Sequence, residues 1–388
     1  MLNRRLLRIK VMQALYGLKQ SEKSDFHLSL DYIADVFAPD LNSMEPRDPE
    51  ELRVNKKLAS DLFYQSFTNE KPNLFQYPDE IRKSVDDAIS LYEKYVKKDK
   101  KHFETIMMAE ISNIYESYLL SLRFMIDLFD YAEVFEEEKK NKHIKGSSDL
   151  PTTKNLLSNV LYKKLKSDES LQMQLVRANL RWKQEEIRNT FKSDFKNSEE
   201  FKTYLALDKP DFEDDRKILL FTAKNYIFKN KSIQGVFEER DFNWTENQGI
   251  VKSLVSKTLK SAEVDTDKLL IEISGNWEED KQFFEDLFLD TLAKGDELEQ
   301  YIVNKAQNWE MERIAMTDNI IIKMALTEMI TCPGIPVKVS INEYIELSKI
   351  YSTPKSKQFV NGMLDAISQE LISKGVIRKS GRGLIDNK

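Results

Sequence analysis

The sequence is poor in the residues that usually carry catalytic or metal-binding chemistry. Its 388 residues include one cysteine, Cys332, which excludes an intramolecular disulfide framework and is typical of a reducing cytoplasm. His27, His102 and His143 are far apart, and no cysteine or histidine stands at metal-ligand spacing. Glycine-rich loops of the kinds that cradle phosphates are absent. We therefore predict no catalytic residue, metal or cofactor, and we expect the protein not to be an enzyme.

Glycine, strand-forming segments and long apolar runs are also scarce. There are 11 glycines, and the long segments rich in Leu, Lys, Glu and Gln are helix formers, so we predict an all-α fold. No apolar run approaches the roughly 18–20 residues that a membrane helix needs; the best candidate, 320–326, is broken by Lys323. Because no apolar secretory segment stands near the start either, we predict a cytoplasmic protein.

The net charge of −6 hides a strong asymmetry along the chain. Residues 1–20 carry +5 with no acid, residues 373–388 carry +4, and the part between them carries −15. Basic ends on an acidic body can confine nucleic acid to one surface. Two disordered tails would give the same pattern.

The pattern of apolar residues and helix breakers predicts where the helices lie. The predicted segments are 1–20, mixed helices in 25–75, a helix from Pro78 to about Lys97, and further helices at 101–140, 153–191, 194–206, 211–229, 244–261, 277–293 and 296–309. Residues 146–152, GSSDLPT, are the clearest loop signal.

Residues 1–20 combine a buried stripe with a basic face. The stripe consists of Leu7, Val11, Ala14, Leu15 and Leu18, at helical spacing. Arg4, Arg5 and Arg8 lie three and four residues apart and so share another face. The planar fork of arginine donates two parallel hydrogen bonds, which suits a phosphate. A solvated helix end and an organellar transit peptide remain alternatives, although the lack of serine and threonine weakens the second.

Residues 335–367 predict two amphipathic helices joined by a polar turn. The apolar positions of the first are Ile341, Tyr344, Ile345 and Ser348, and those of the second are Phe359, Val360, Met363, Leu364 and Ile367. Ser352-Thr353-Pro354 predicts the start of the second helix, with proline at its first position. Its first turn would then hold Lys355, Ser356, Lys357 and Gln358 beside Phe359, where free N–H groups and the helix dipole favour an anion. A solvated polar turn is the plainer interpretation.

This stretch resembles the C-terminal signature of the NusB family. The family pattern is a proline-containing loop, a lysine, an INE…IELAK helix and an S-x-(K/Q)-FVNG-x-LD helix. The corresponding residues here are Pro336, Lys338, 341–343 (INE), 345–349 (IELSK), Ser356 and 359–365 (FVNGMLD). Residues 309–315 and 325–329 look like the preceding helix, and 12–16 (MQALY) resemble the family's VQALY after its N-terminal arginines.

The resemblance implies NusB-like helical bundles with inserted helices. It divides the chain into an N-terminal basic helix (1–20), a helical region that is partly insertion (21–145), a loop (146–153), a helical region that is mostly insertion (154–294), a NusB-like subdomain (295–375) and a basic tail (376–388).

The resemblance also implies a function: a transcription antitermination factor that binds boxA-type single-stranded RNA together with the ribosomal protein NusE, as an adaptor to RNA polymerase. The RNA-binding residues would be Arg4, Arg5, Arg8, Lys10, Gln13, Tyr16, Lys355, Ser356, Lys357, Gln358 and Phe359. Glu328 corresponds to an acidic position that the family uses toward NusE. The family often has an acid just before the motif serine, and Lys355 departs from that pattern, which should strengthen phosphate attraction.

Two other functions compete with this one. The first is the NusB-like RNA-binding domain of ribosomal-RNA cytosine methyltransferases, but that interpretation needs a C-terminal domain with a glycine-rich cofactor loop and a Pro-Cys motif. The second is a helical scaffold for proteins with no RNA role. The arginines of residues 1–20 distinguish RNA binding from the scaffold function, since a scaffold does not need these arginines.

Overall fold

A computed structural model describes residues 4–39, 47–68, 70–141, 152–266, 268–272, 274–306 and 314–387. Within these ranges there are sixteen α-helices and no strand, so the all-α prediction is confirmed. The helices are α1 (Arg4–Val36), α2 (Pro49–Gln65), α3 (Asp79–Asn141), α4 (Lys154–Ser158), α5 (Val160–Ser167), α6 (Glu169–Arg177), α7 (Gln184–Ser193), α8 (Glu199–Ala206), α9 (Phe212–Thr222), α10 (Lys231–Arg240), α11 (Trp244–Ser261), α12 (Trp277–Ala293), α13 (Gly295–Lys305), α14 (Met316–Thr331), α15 (Val337–Tyr351) and α16 (Ser356–Ser373).

The chain forms two compact units. The terminal unit comprises residues 4–107 and 281–388, and the middle unit comprises residues 108–280. The helix α3 contributes residues to both units. Whether 21–145 and 154–294 are insertions stays a prediction.

The middle unit is held by aromatic side chains and a buried polar network. The stacked rings of Phe237 and Trp244 lie 4.4 Å apart, and the indole N–H of Trp182 donates to the Leu120 carbonyl at 2.9 Å. The Tyr204 hydroxyl donates to the carboxylate of Asp215 at 2.6 Å, which satisfies a charge that is almost fully buried. The backbone N–H of Val160, at the start of α5, donates to the same carboxylate at 2.6 Å, so Asp215 links α5, α8 and α9.

Helix boundaries differ from the prediction where breakers were judged wrongly. The predicted break between Lys97 and residue 101 does not exist, because that lysine-rich stretch has neither glycine nor proline and α3 continues through it. Conversely, 153–191 is split into four helices. Asn159 and Asp168 cap new helices by accepting from the backbone N–H of Tyr162 and Leu171. The prediction missed α10 altogether, and most of the predicted loop 146–152 lies outside the described residues.

The three helices α14, α15 and α16 pack on one another, and α1 packs against α14. The completely buried side chains of Ile321, Leu326, Leu347, Val360 and Leu364 form the apolar contacts within this group. The helix predicted at 277–293 is confirmed, and 325–329 lies within α14. Residues 309–313, which resembled the preceding family helix, lie outside the described residues. The two ends of the sequence therefore share one fold, which is the condition for a site built from both.

The predicted basic tail packs on the loop between α14 and α15. The amide of Ser380 donates to the carbonyl of Pro333 at 3.0 Å, and the Lys379 ammonium donates to the carbonyl of Cys332 at 2.9 Å. Burial lowers the pKa of Lys379, so this ammonium is partly removed from solvent. Residues 381–387 form a 3-10 helix, so this segment does not have the structure of a disordered tail.

We expect Gly383→Ala to detach this segment from Pro333. A methyl group at Gly383 would come within 2.1 Å of the Pro333 carbonyl oxygen, and backbone at that position has little room to move. Overpacking of this kind costs about 1–3 kcal/mol. Hydrogen exchange at the Ser380 amide should accelerate. Gly362→Ala is the control: its added methyl meets nothing within 4 Å in α16 and should stabilise the helix by about 0.5–1 kcal/mol. Unchanged exchange at Ser380 in Gly383→Ala would contradict the docking.

Candidate nucleic-acid interface

A buried ion pair joins α1 to α14. The guanidinium of Arg8 donates from Nε and Nη2 to the two carboxylate oxygens of Glu328, at 2.7 and 2.8 Å. The side chain of Arg8 is 4% exposed and that of Glu328 is not exposed at all. A paired fork of this kind fixes both direction and register, so it sets where the start of α1 lies.

Two hydroxyl groups of α15 complete the environment of Glu328. Ser340 donates to one carboxylate oxygen at 2.7 Å and Tyr344 donates to the other at 3.0 Å. Burial and the charge of Glu328 raise the pKa of Tyr344 well above its ordinary value, so its hydroxyl stays a donor. Burial alone would lower the pKa of Arg8, but the hydrogen bonds and charge of Glu328 raise it. Both carboxylate oxygens of Glu328 thus accept hydrogen bonds from α1 and α15, and the cluster joins three helices.

This geometry revises three of the sequence-based assignments. Arg8 and Lys10 are 3% and 1% exposed, and Glu328 is completely buried. The functional groups of Arg8 and Glu328 are bound to each other, so neither is presented to RNA or to NusE. Their role in this structure is to position the helices. The sequence carried a sign of this, since a lone acid in the apolar run of α14 requires a buried partner.

Arg5 makes a second ion pair of the same geometry, but at the surface. Its Nε and Nη2 donate to the two carboxylate oxygens of Glu343 on α15, both at 2.8 Å. The side chains are 43% and 22% exposed. The hydrogen bond from Arg5 lowers the pKa of Glu343, and the charges of Arg5 and Arg8 act in the same direction. Arg5 is among the predicted site residues, but Glu343 is not, although the INE motif contains it.

Arg4 lies beside an aromatic ring at the start of α1. Its guanidinium carbon is 5.0 Å from the centre of the Phe283 ring, and that of Arg8 is 5.4 Å from the same ring. Such cation–π contacts help to hold an arginine side chain in place. Arg4 is partly exposed, as is Gln13, and Tyr16 is exposed on the same helix.

Ser356 is buried and links α16 to α14. Its hydroxyl donates to Asp318 at 2.6 Å and meets the hydroxyls of Ser352 and Thr353 at 2.9 and 2.8 Å. This revises its assignment to RNA binding, because at 3% exposure it is occupied in positioning the helix start. The predicted proline at the first helical position is also wrong: α16 begins at Ser356, and Pro354 lies in the turn before it.

Apart from Ser356, the residues at the start of α16 are open to solvent. Lys355, Lys357 and Gln358 are exposed, and Phe359 is partly buried. The hydrogen bond from Lys349 lowers the pKa of Glu346 on α15, and the charges of Arg5 and Lys357 make smaller contributions in the same direction. Arg5 is hydrogen-bonded to Glu343 of α15 and α16 packs on α15, so α15 lies beside both helices that carry these basic residues.

Within the described ranges, no group of three or more histidine, cysteine or acidic residues is placed to hold a metal ion. Nor does any described helix combine the length and apolar character required to cross a bilayer.

Residues 245–369 match the family model described as the NusB family, a range that begins well before the resemblance seen in the sequence at residue 309 and that does not include α1. Three similar proteins are each named transcription antitermination protein NusB. That of Chloroherpeton thalassium is 44% identical over 106 residues, 27% of this chain and 50% of the relative. That of Salinibacter ruber is 46% identical over 105 residues, 27% of this chain and 66% of the relative.

The third, from Bacillus pumilus, is 39% identical over 94 residues, 24% of this chain and 72% of the relative. The chain thus covers between half and two thirds of the first two relatives and somewhat more of the third. No solved structure matches the chain. With a family model matched across α11–α16 and nearly three quarters of one relative covered, the chain belongs to the NusB family.

Proposed function

We propose that the chain is a non-catalytic transcription antitermination adaptor that binds boxA-type single-stranded RNA together with NusE and joins both to RNA polymerase. Family membership supports the class of function. The observation that carries the RNA assignment is that α15 lies beside basic segments from opposite ends of the chain. Arg5 on α1 is paired with Glu343 of α15 at 2.8 Å, and α16, which has Lys357 in its first turn, packs on α15. Cations that flank one surface can follow a phosphate backbone.

We divide the sequence-based candidates into two groups by the exposure of their side chains. Arg4, Arg5, Lys355, Lys357 and Gln358 are at least partly exposed and are proposed to contact phosphates. Tyr16 and Phe359 are proposed to stack on bases, as aromatic rings do in single-stranded RNA complexes. Gln13, which is partly exposed, is proposed as a base-edge contact. The buried Arg8, Lys10 and Ser356 are proposed to hold these groups in place.

The coupling between RNA and NusE follows from linkage. If RNA raises the affinity for NusE, NusE must raise the affinity for RNA by the same factor. Because Glu328 is buried, its contribution to NusE binding would be indirect, through the position of α15.

The test is a titration of fluorescently labelled boxA-type RNA with the full chain, with and without NusE. We expect Arg4→Ala combined with Arg5→Ala to weaken binding about tenfold, which corresponds to 1.4 kcal/mol. Lys19→Ala combined with Lys23→Ala is the matched control, since it removes two exposed cations from the other part of α1. Equal losses in the two double variants would show that only net charge matters.

Failure of the unaltered chain to bind RNA, with or without NusE, would contradict the proposal. A helical scaffold would behave in this way and would not select NusE. Co-purification of NusE with the full chain, strengthened by added boxA-type RNA, is the result expected of the adaptor.

A further inference from the structure

Two ion pairs of the same design stand one helical turn apart on α1. In each, Nε and Nη2 of an arginine donate to the two oxygens of one glutamate: Arg8 to Glu328 and Arg5 to Glu343. They differ in exposure. The inner pair is closed, while the side chains of the outer pair are 43% and 22% exposed. The outer arginine is therefore accessible to another anion, and the inner one is not.

A carboxylate and a phosphate use an arginine fork in the same way. Both accept two parallel hydrogen bonds from Nε and a terminal nitrogen. Glu343 already occupies that pair of donors on Arg5. Because the charge and hydrogen bonds of Arg5 lower the pKa of Glu343, the glutamate is a full anion at neutral pH. An RNA phosphate that approaches Arg5 therefore finds these two hydrogen-bond donors already occupied by Glu343.

We propose that Glu343 is an intramolecular competitor of RNA: it occupies the fork of Arg5 in the free protein and is displaced when a phosphate binds there. This rests on the proposed function, since it concerns the same site. Displacement costs the protein a charged hydrogen-bonded pair and so sets the affinity below what the exposed cations alone would give. It also provides Arg5 with a preformed conformation, because its fork is already extended toward α15.

The alternative role for Glu343 is to hold Arg5 in position, and it predicts the opposite change in RNA affinity when Glu343 is replaced. If Glu343 is a positioning residue that stays paired while RNA binds elsewhere on Arg5, its loss frees the arginine side chain and weakens binding. Nη1 of Arg8 also lies 3.6 Å from the carboxylate, so a positioning effect would reach both arginines. Whether replacing Glu343 raises or lowers the RNA affinity therefore separates the two roles.

The experiment is a boxA-type RNA titration with Glu343→Gln in the full chain at several salt concentrations. We expect affinity about tenfold higher at low salt, together with a steeper salt dependence, because one more cation is available to phosphate. Glutamine keeps the shape and one hydrogen-bond acceptor. The urea unfolding curve should move little, since ion pairs this exposed contribute little to stability.

Glu346→Gln is the matched control. It removes the same charge one turn further along α15, but its carboxylate is hydrogen-bonded to Lys349 and not to Arg5. It reports the general effect of a lost negative charge, which we expect to be smaller. Glu343→Gln in an Arg5→Ala background completes a double-mutant cycle between these two residues. There the gain should shrink to that of Glu346→Gln, because no fork remains to be released.

The outcomes are distinct. Weaker or unchanged binding by Glu343→Gln, while the unaltered chain binds RNA, overturns the competitor role and leaves the proposed function intact. An equal gain in Glu343→Gln and Glu346→Gln also overturns it, because general charge would then explain both. If the unaltered chain binds no RNA at all, the proposed function fails first, and the competitor role fails with it.

Discussion

Replacing Arg8 by alanine is expected to lower the free energy of unfolding of the terminal unit by about 3–5 kcal/mol, the cost of leaving one member of a buried ion pair alone. Glu328 would keep its donors Ser340 and Tyr344 but lose its counter-charge. With no exposed surface, its carboxylate has no water to replace the guanidinium. The helix α1 should then separate more easily from α14.

The matched control is Arg5→Ala on the same helix. It breaks a pair of the same geometry, but one that is partly exposed, so its cost should be about 0–1 kcal/mol. Urea unfolding gives the free energies. Hydrogen exchange of the α14 and α15 amides reports the terminal unit separately from the middle unit. If the two arginine variants unfold alike, Glu328 is not the buried anchor described above.

Local sequence pattern predicted the fold class well because helix formation depends on near neighbours. Apolar spacing located α11 and α12 correctly at both ends. The errors arose where the sequence signals for the start or end of a helix were weak or were misinterpreted. The lysine-rich middle of α3 was predicted as a boundary but contains no breaker. Asn159 lies inside the helical segment predicted at 153–191 but starts a new helix.

The candidate site was predicted less well, because exposure depends on distant residues. Spacing showed that Arg4, Arg5 and Arg8 share a face, and a shared face suggested a shared role. Whether each arginine is exposed depends on α14 and α15, more than 300 positions away. The same holds for Ser356, whose hydroxyl is bound by Asp318 on α14. Pattern finds the right residue types, but only the tertiary fold shows which of them meet solvent.

The surface left after this division consists of basic side chains near two glutamates of α15. On α1 it has Arg4 and Arg5, and on α16 it has Lys355 and Lys357. Glu343 of α15 is paired with Arg5, and Glu346 lies one turn further along α15. Where acids stand among cations, phosphate binding depends on the exposed cations that no carboxylate holds in a fork. The lysines at the start of α16 are therefore expected to carry a large share of the RNA affinity.

Reversing these two lysines together, Lys355→Asp with Lys357→Asp, is expected to weaken binding of boxA-type RNA on the order of a hundredfold at low salt, at about tenfold for each reversal. Two phosphate contacts fewer should also reduce the slope of log affinity against log salt by roughly one to two. The measurement is the RNA titration repeated across salt concentrations. Because both lysines are exposed, the urea midpoint should hardly change.

The same charge change elsewhere in the terminal unit separates contact from general repulsion. Lys97→Asp with Lys101→Asp alters two exposed lysines on α3 and lowers the net charge equally. It should weaken RNA binding only a few-fold, and the difference should vanish at high salt, where distant charges are screened. Should the α3 pair reduce affinity and salt slope as much as the α16 pair, the start of α16 has no special place in RNA binding. Lys355→Asp alone tests the position at which this chain departs from its family's acid, and an unchanged affinity and slope there would remove Lys355 from the interface.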